Sequence, residues 1–197
     1  MSHTDELFKL KDMLCAKSVR FGDFTLASGA RSDVYVDGKL TTCWPEAMPL
    51  VGRAFICKMR AQGWQPEAVG GLTVGADPIA FSIARESLDE KPLISAFIVR
   101  KEAKKHGMQR FIEGIDQTDG LRVVIIDDVC TKGGSTAQAV DKAIAAGMNV
   151  LGAVCLVDRD MGAASLLKDK FGLTLESIFK LSELRSHHRA ILEDEAA

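Results

Sequence analysis

One strand–loop–helix segment constrains the fold of this chain more than any other part of its sequence. Four consecutive β-branched residues that begin at Val123 predict a strand buried on both faces. Two carboxylates, Asp127 and Asp128, stand where that strand is expected to end. A loop of small, hydroxylated and glycine residues follows and opens a helix that we expect at 137–146. Because a strand buried on both faces needs cover above and below, this segment favours an α/β fold.

The loop after this strand has the composition of a phosphate-binding turn. Its glycines keep Cβ atoms out of the way, so that backbone N–H groups and a helix N-terminus can point at a phosphate. It is not a P-loop, because Lys132 precedes the glycines, and no Gly-x-Gly-x-x-Gly dinucleotide fingerprint follows the strand. A competing interpretation is that Asp127 and Asp128 only begin a polar turn.

The composition is that of an ordinary globular protein. Its 197 residues suffice for a single domain with a substantial core, and 47% of them are hydrophobic. The net charge of −2 gives no electrostatic basis for binding nucleic acid. No apolar run approaches the roughly 20 residues of a membrane span, and residues 1–11 lack the apolar core of a signal peptide. We therefore expect a cytoplasmic enzyme that binds neither nucleic acid nor membranes.

The cysteines give little support for a metal site or for cross-links. There are five, they are scattered, and no Cys-x-x-Cys occurs, so neither a zinc site nor a disulfide framework is indicated. Cys130 lies in the loop region after the buried strand. It can be a reactive thiol or a small buried residue beside Val129, and the sequence leaves both interpretations open.

Strand and helix patterns alternate along the chain after about residue 45. Strands are predicted at 24–26, 34–36, 68–72, 93–99, 121–127, 150–157 and 173–178, and helices at 7–14, 45–61, 77–88, 137–146 and 163–170. Strands separated by helices call for a parallel sheet flanked by helices, here at about 45–180. Residues 1–40 are expected to form a small N-terminal hood over one edge of it. Ligands of open α/β sheets bind at the carboxyl ends of the strands, so the loops there should carry the chemistry.

The first of these loops, at 70–78, is rich in glycine and contains Thr73. Glycines at this density let a backbone approach a ligand closely, and the position suits a pyrophosphate group. The alternative is a tight strand–helix turn in which the glycines serve close packing.

A run of basic side chains follows the strand predicted at 93–99. It contains Arg100, Lys101, Lys104, Lys105 and His106. Such a run is usually a solvated face or a nucleic-acid patch. Here it directly follows a buried strand in a slightly acidic chain, so we interpret it as a mobile cationic loop that closes over a polyanion and excludes water.

A further candidate is Arg159, which stands between two aspartates at the end of the strand predicted at 150–157. An arginine at a strand end can hold a carboxylate through two parallel charge-assisted hydrogen bonds. The alternative is a surface salt bridge between Arg159 and Asp158 or Asp160.

Segment 123–136 resembles the phosphoribosyl pyrophosphate (PRPP) signature of the type I phosphoribosyltransferases, in which a hydrophobic strand and two acids precede Thr-x-Gly-Gly-Ser-Thr. Within that superfamily, the basic run resembles the catalytic loop of the orotate phosphoribosyltransferases, whose pattern is Arg-Lys-x-x-Lys-x-His-Gly. The Asp-Arg pair at 158–159 and the N-terminal motif at 24–37 are similar to the same family. One departure is Ala27, where many relatives carry Lys. The resemblance covers about residues 20–163, with four motifs in family order.

The resemblance implies an enzyme that transfers the phosphoribosyl group of PRPP to N1 of orotate in pyrimidine synthesis. Its catalytic residues would be Lys104, His106, Asp127 and Asp128. The PRPP-binding set would be Arg100, Lys101, Lys104, His106, Asp127, Asp128, Thr131, Lys132, Gly133, Gly134, Ser135, Thr136 and Thr73. The orotate-binding set would be Ser28, Gly29, Thr131 and Arg159.

It also implies Mg²⁺, bound mainly through PRPP oxygens and water and not by a protein cage. In this family the cationic loop reaches into the neighbouring subunit's site, which implies a homodimer with shared active sites. Two alternatives stay open. One is a phosphoribosyltransferase for another nucleobase, and the other is a non-catalytic regulator that senses PRPP.

Overall fold

The structure, a computed structural model, describes residues 2–25, 31–89, 91–102 and 111–195. Its elements, in chain order, are α1 (His3–Lys17), β1 (Val19–Thr25), β2 (Arg31–Val36), α2 (Lys39–Thr42), α3 (Met48–Ala61), β3 (Ala68–Leu72), α4 (Asp77–Glu86), β4 (Ser95–Val99), β5 (Ile112–Glu113), β6 (Arg122–Cys130), α5 (Gly134–Ala145), β7 (Asn149–Asp158), α6 (Ala163–Phe171), β8 (Leu175–Lys180) and α7 (Leu181–Glu195). Within these described ranges, no helix is both long and apolar enough to cross a membrane.

Six strands form the main sheet in the order β5-β4-β3-β6-β7-β8. All neighbours pair in parallel except β5, a two-residue strand that pairs antiparallel with β4 at one edge. The predicted fold class, a parallel sheet flanked by helices with a small N-terminal hood, is confirmed. The edge strand β5 was not predicted, because two residues carry no periodicity.

Strand β6 is central, and its side chains divide between the two faces of the sheet. Val124 and Ile126 belong to the buried cluster that includes residues of α3 and α4, whereas Val123 and Ile125 belong to the cluster that includes residues of α5. This alternation is the ordinary consequence of strand geometry. The prediction ended the strand at Asp127, but it continues to Cys130 because its pairing with β7 extends that far.

The hood consists of α1, α2 and the antiparallel pair β1 and β2. Helix α1 packs against α3 and α7, which ties the hood to the main body. At the other end of the hood, Gly38 lies against the carboxyl end of β6, where a Cβ added to this glycine would be 3.0 Å from the Cβ of Asp128. The hood therefore lies over the carboxyl ends of the strands, where ligands of such sheets bind.

The C-terminal helix α7 was not predicted. Its first half is joined to the hood by Arg185, whose guanidinium nitrogens donate to both carboxylate oxygens of Asp33 at 2.8 and 3.0 Å. Two turns into α7, His187 contacts Asp12 on α1 and packs edge-to-face on Phe8. Helix α7 is thus joined to both β2 and α1 of the hood.

Candidate active site

The two adjacent carboxylates of β6 lie in different surroundings because consecutive side chains of a strand point to opposite faces. Asp127 follows Val123 and Ile125 onto the α5 face, where it is only 7% exposed. Its Oδ2 accepts a hydrogen bond from the hydroxyl of Thr136 at 2.8 Å, and its Oδ1 accepts one from the backbone N–H of Asp128 at 3.0 Å. Burial raises the pKa of Asp127 to about 7, although the bond from Thr136 opposes the shift.

Asp128 lies on the opposite face, beside the hood and the β3–α4 loop. Its Oδ1 accepts from the backbone N–H of Val129 at 2.9 Å, and its Oδ2 is 3.7 Å from the Nζ of Lys39. Gly75 is required here, because a Cβ at this position would lie 2.4 Å from Oδ1 of Asp128. The hydrogen bond to Asp37, together with the charge of Asp128, raises the pKa of Lys39. The hood thus supplies a cation to this carboxylate.

The loop between β6 and α5 leaves the N-terminus of the helix open. Gly133 has a φ of 77°, and a Cβ there would lie 3.0 Å from the Cα of Ala163, so both backbone conformation and space require glycine. Gly134 and Ser135 are exposed at the first turn of α5. The first backbone N–H groups of a helix have no partner within the helix, so this turn can hold an anion.

Four other residues in and beside this loop differ in exposure. Thr131 is half-buried and Lys132 is exposed, so both can reach a ligand in the loop. Thr136 is 1% exposed and its hydroxyl points to Asp127, so it orients the carboxylate and cannot turn its hydroxyl toward a phosphate without breaking that bond. Cys130 is also 1% exposed, with Sγ 3.2 Å from the Thr136 hydroxyl, which favours the small buried residue over the reactive thiol.

The glycines that begin the 70–78 segment serve packing of the sheet. A Cβ at Gly70 would lie 2.2 Å from the carbonyl oxygen of Phe97, and one at Gly71 would lie 2.0 Å from that of Ile126. For these two positions the packing alternative is correct. Ligand approach is left to the turn that follows, which begins at Thr73.

Thr73 connects this turn to the start of α4. Its hydroxyl donates to Oδ2 of Asp77 at 2.6 Å, and its backbone N–H donates to the carbonyl of Val99 at 2.9 Å. The other carboxylate oxygen of Asp77 is buried and accepts no hydrogen bond from the described residues. Burial raises the pKa of Asp77, against the effect of the Thr73 bond.

The start of the basic run lies beside the carboxylates. Arg100 follows β4, with its Nη1 3.6 Å from Oε1 of Glu113, and Lys101 is exposed at the edge of the cleft. The Nζ of Lys142 on α5 donates to the main-chain carbonyls of Arg100 and Lys101 at 2.7 and 2.8 Å. Lys104 and His106, and likewise Ser28 and Gly29 of the hood, lie outside the described residues.

Most of these groups meet in one cleft of about 240 Å³ at the carboxyl ends of β3 and β6. It is lined by Lys39, Leu72, Thr73, Val74, Gly75, Lys101, Asp127, Asp128 and Ser135. A second, more open cleft of about 470 Å³ shares Thr73 and Lys101 with the first and adds Arg100 and Glu113. The structure thus joins carboxylates, cations and an open helix N-terminus around a space that suits a sugar phosphate.

Arg159 lies at the end of β7, outside the lining of that cleft. Its backbone N–H donates to the carbonyl of Cys130 at 2.9 Å, and its Nη2 donates to Oγ of Ser32 in the hood at 3.2 Å. It forms no ion pair with Asp158 or Asp160, both of them described residues, and Asp160 pairs instead with Lys180 at 3.0 Å. The Nε of Arg159 is buried without a hydrogen-bond acceptor among the residues described. An oriented donor without a partner fits the carboxylate-holding interpretation better than the salt bridge.

The sequence did not indicate two residues of this site. Lys39 lines the cleft, and Lys142 binds the carbonyls that begin the basic run. Each belongs to an element that lies far from its partner in the sequence. No local pattern marks them, because a single lysine in a helix is most often a solvated surface residue. Ser32 lies within the N-terminal motif at 24–37, but its hydrogen bond with Arg159 was not predicted.

No protein-family model matches the chain. Individual relatives do match. A curated orotate phosphoribosyltransferase of Nostoc sp. is 38% identical over 183 residues, which cover 93% of this chain and 87% of that protein. One of Aquifex aeolicus is 42% identical over 179 residues, which cover 89% of this chain and 96% of that protein.

Solved structures agree with the sequence relatives. The Mycobacterium tuberculosis orotate phosphoribosyltransferase in complex with Fe(III) dicitrate superposes with a TM-score of 0.79 at 38% identity, covering 91% of this chain and 98% of that one. The same enzyme in complex with PRPP gives a TM-score of 0.76 at 32% identity, with the same coverage of both chains. The fold, with its hood and with paired acids before a Gly-Gly-Ser-Thr loop, is thus that of the type I phosphoribosyltransferases. Within that class, the chain belongs to the orotate phosphoribosyltransferase family.

Proposed function

We propose that this protein transfers the 5-phosphoribosyl group of PRPP to N1 of orotate. The products are orotidine 5′-monophosphate and pyrophosphate, in the pathway that makes UMP. The observation that carries the proposal is the single cleft in which Asp127, Asp128, Lys101 and Ser135 meet, in a chain of this family. Orotate N1 attacks C1 of the ribose as pyrophosphate departs, so the site must stabilise positive charge on the sugar and negative charge on the leaving group.

The carboxylate pair is proposed to hold the two ribose hydroxyls. Asp128 faces the hood side of the cleft beside Lys39, and Asp127 faces the α5 side, where Thr136 fixes its orientation. A carboxylate held beside the ring can also offset positive charge that develops on it in the transition state. Because Asp127 is buried and titrates near neutral pH, Asp128 is the better placed to supply that charge.

The 5-phosphate of PRPP is proposed to bind at the N-terminus of α5. Support comes from the exposed Gly134 and Ser135 in its first turn and from the left-handed Gly133 before it. Backbone N–H groups and the helix dipole both favour an anion at such a terminus. Thr131 and Lys132 would complete the loop, and Thr136 would contribute through its backbone.

The pyrophosphate group is proposed to bind between Thr73 and the basic run. Lys101 and Arg100 line the open cleft next to Thr73, which supports this placement. Lys104 and His106 are proposed as catalytic residues that neutralise and protonate the leaving group, on the strength of the family motif alone.

Orotate is proposed to bind between Arg159 and the hood. The buried Nε of Arg159, which lacks an acceptor among the described residues, is a donor available to the orotate carboxylate. Ser32 accepts from Nη2 of the same guanidinium, so the arginine needs little reorientation on binding. Ser28, Gly29 and Thr131 are the remaining proposed contacts.

We also propose that the reaction uses Mg²⁺. Within the described ranges, no cluster of three or more His, Cys, Asp or Glu side chains could hold a metal ion by itself. Both oxygens of Asp127 already accept hydrogen bonds, and Asp128 is engaged by Val129 and Lys39. The residues therefore fit an ion whose ligands are mainly PRPP oxygens and water. When bound, the ion would neutralise charge on the pyrophosphate.

We further propose that the chain forms a single domain and that the protein acts as a homodimer in the cytoplasm. The packing of α1 against α3 and α7 supports a single domain. Leu40, Val74 and Phe81 are 47%, 62% and 49% exposed on elements next to the cleft, and an apolar surface at that place suits a second subunit. Mixing a Lys104→Ala protein with an Asp128→Asn protein should restore activity if sites are shared. No recovery after verified subunit exchange would contradict sharing.

The proposed reaction is tested by following orotate consumption through its ultraviolet absorbance. PRPP and Mg²⁺ are present together and are then each omitted. Loss of orotate only in the complete mixture is the expected result. Faster consumption of uracil, xanthine or hypoxanthine would indicate another base, and PRPP binding without turnover of any base would indicate a sensor. A protein that does not bind PRPP would contradict the assignment of the signature loop itself.

A further inference from the structure

Lys142, on the last full turn of α5, contacts described residues on both sides of the span 103–110, which lies outside the described residues. Its Nζ donates to the carbonyls of Arg100 and Lys101 at 2.7 and 2.8 Å. The same ammonium lies 4.5 Å from the centre of the Phe111 ring. Arg100 and Phe111 are also joined directly, by a backbone hydrogen bond of 2.9 Å. The side chain of Lys142 thus contacts the backbone just before the span 103–110 and the aromatic ring just after it.

Helix α5 connects this contact to the proposed phosphate site. It begins at Gly134, and Lys142 follows eight residues later, which places the lysine about 12 Å farther along the helix axis. A helix packed on the sheet through Ala139, Val140 and Ala143 is a rigid spacer. The separation between the open N-terminus of α5 and the backbone at Arg100 and Lys101 is therefore fixed.

Lys101 is the residue through which this contact would act. It lines the cleft of Asp127 and Asp128 as well as the neighbouring cleft, and its side chain is exposed. An exposed lysine retains many rotamers, so the position of its charge depends on how well its backbone is held. Lys142 binds the carbonyl of this residue directly.

We propose that Lys142 is a positioning residue that sets the distance between the phosphate-binding turn of α5 and the cation of Lys101. The role rests on the proposed function, because it assumes that Lys101 meets the pyrophosphate end of PRPP while α5 holds the 5-phosphate. A substrate bound at both ends requires that the two anion sites keep a fixed separation. Lys142 lines neither of the two clefts that are proposed to hold PRPP.

The test compares Lys142→Met and Lys142→Arg with Lys168→Met, a control in which an exposed lysine of α6 is changed in the same way. Lys142→Met should lower kcat/KM for PRPP about tenfold and weaken pyrophosphate binding by a similar factor. The KM for orotate should stay within about twofold, since Arg159 is not involved. Lys142→Arg should recover most of the loss, because a guanidinium can donate to two carbonyls.

A double-mutant cycle with Lys101→Met separates positioning from general damage. If Lys142 acts through Lys101, adding Lys142→Met to Lys101→Met should change kcat/KM for PRPP by less than about twofold. Fully additive losses would overturn the proposal. So would a Lys142→Met protein that matches the Lys168→Met control in turnover and in pyrophosphate binding.

Failure of the proposed function gives a different pattern. Pyrophosphate binding, measured by calorimetry with Mg²⁺, requires no turnover of orotate. A wild-type protein that binds pyrophosphate but uses another base contradicts the orotate assignment, and weaker pyrophosphate binding by Lys142→Met would still support the positioning role. A wild-type protein that neither binds pyrophosphate nor consumes any base overturns both.

Discussion

Replacing Asp127 with Asn should stabilise the folded protein at neutral and alkaline pH while abolishing its activity. Burial raises the pKa of Asp127 from 3.8 to about 7. Between those values the folded protein keeps a proton that the unfolded chain has released, so stability falls as the pH rises through this window. At about 1.4 kcal/mol for each pH unit, the total loss is about 4 kcal/mol by pH 8. Asn has the same shape and no charge to desolvate.

The assay is urea unfolding of wild type and Asp127→Asn at several values between about pH 4.5 and pH 8. The two proteins should have similar stability at the acid end, and the difference in favour of the variant should grow toward about 4 kcal/mol at pH 8. The Thr136 hydroxyl can rotate to accept from one N–H of the new amide and can turn its own proton toward Sγ of Cys130, which lies 3.2 Å away. Asp169→Asn, a change of an exposed acid on α6, is the control. A stability difference that does not vary with pH would refute the reasoning.

Three further changes probe other parts of the structure. Gly75→Ala would place a Cβ 2.4 Å from Oδ1 of Asp128, so we expect kcat to fall about tenfold or more with little change in melting temperature; unchanged turnover would contradict the close contact. Arg159→Lys should raise the KM for orotate about tenfold and leave that for PRPP unchanged, because lysine cannot form the paired hydrogen bonds; an equal rise in both KM values would place Arg159 elsewhere. Arg53→Met removes ion pairs with Glu6 and Glu86 that join α3 to α1 and α4. The free energy of unfolding, measured by chemical denaturation, should fall by about 1–3 kcal/mol while kcat stays normal. A loss of kcat at full stability would contradict this purely structural role.

The sequence predicts the main sheet because its strands bury nearly continuous apolar runs. The apolar run at 123–126 follows the pattern expected for a parallel sheet, and so do the strands on either side of it. In the structure these runs are the buried strands β3, β6 and β7. Element ends are less well predicted. Strand β6 runs on to Cys130, past two carboxylates that local propensity would place in a loop, because its pairing with β7 continues.

Other features could not be predicted because they depend on contacts between distant segments. Leu181, Leu184 and Ile191 recur at helical spacing, so the existence of α7 could have been predicted. Its position depends on Arg185 against Asp33 and on His187 against Asp12, and neither pair leaves a local pattern. The site shows the same limit. Its motifs mark Asp127, Asp128 and the glycine loop, whereas Lys39 and Lys142 enter only through tertiary packing.

The different surroundings of the two carboxylates follow from the alternation of β6. The alternation that places Val123 and Ile125 under α5 also places Asp127 on that face. The desolvation of Asp127 is therefore a consequence of the same register that stabilises the core. One position later, Asp128 emerges on the other face, where Gly38 and Gly75 leave room for it and Lys39 supplies a cation. A one-residue shift of the strand would exchange the two environments. The register of β6 therefore determines which carboxylate is desolvated and which one faces a cation, and it does so before any ligand binds.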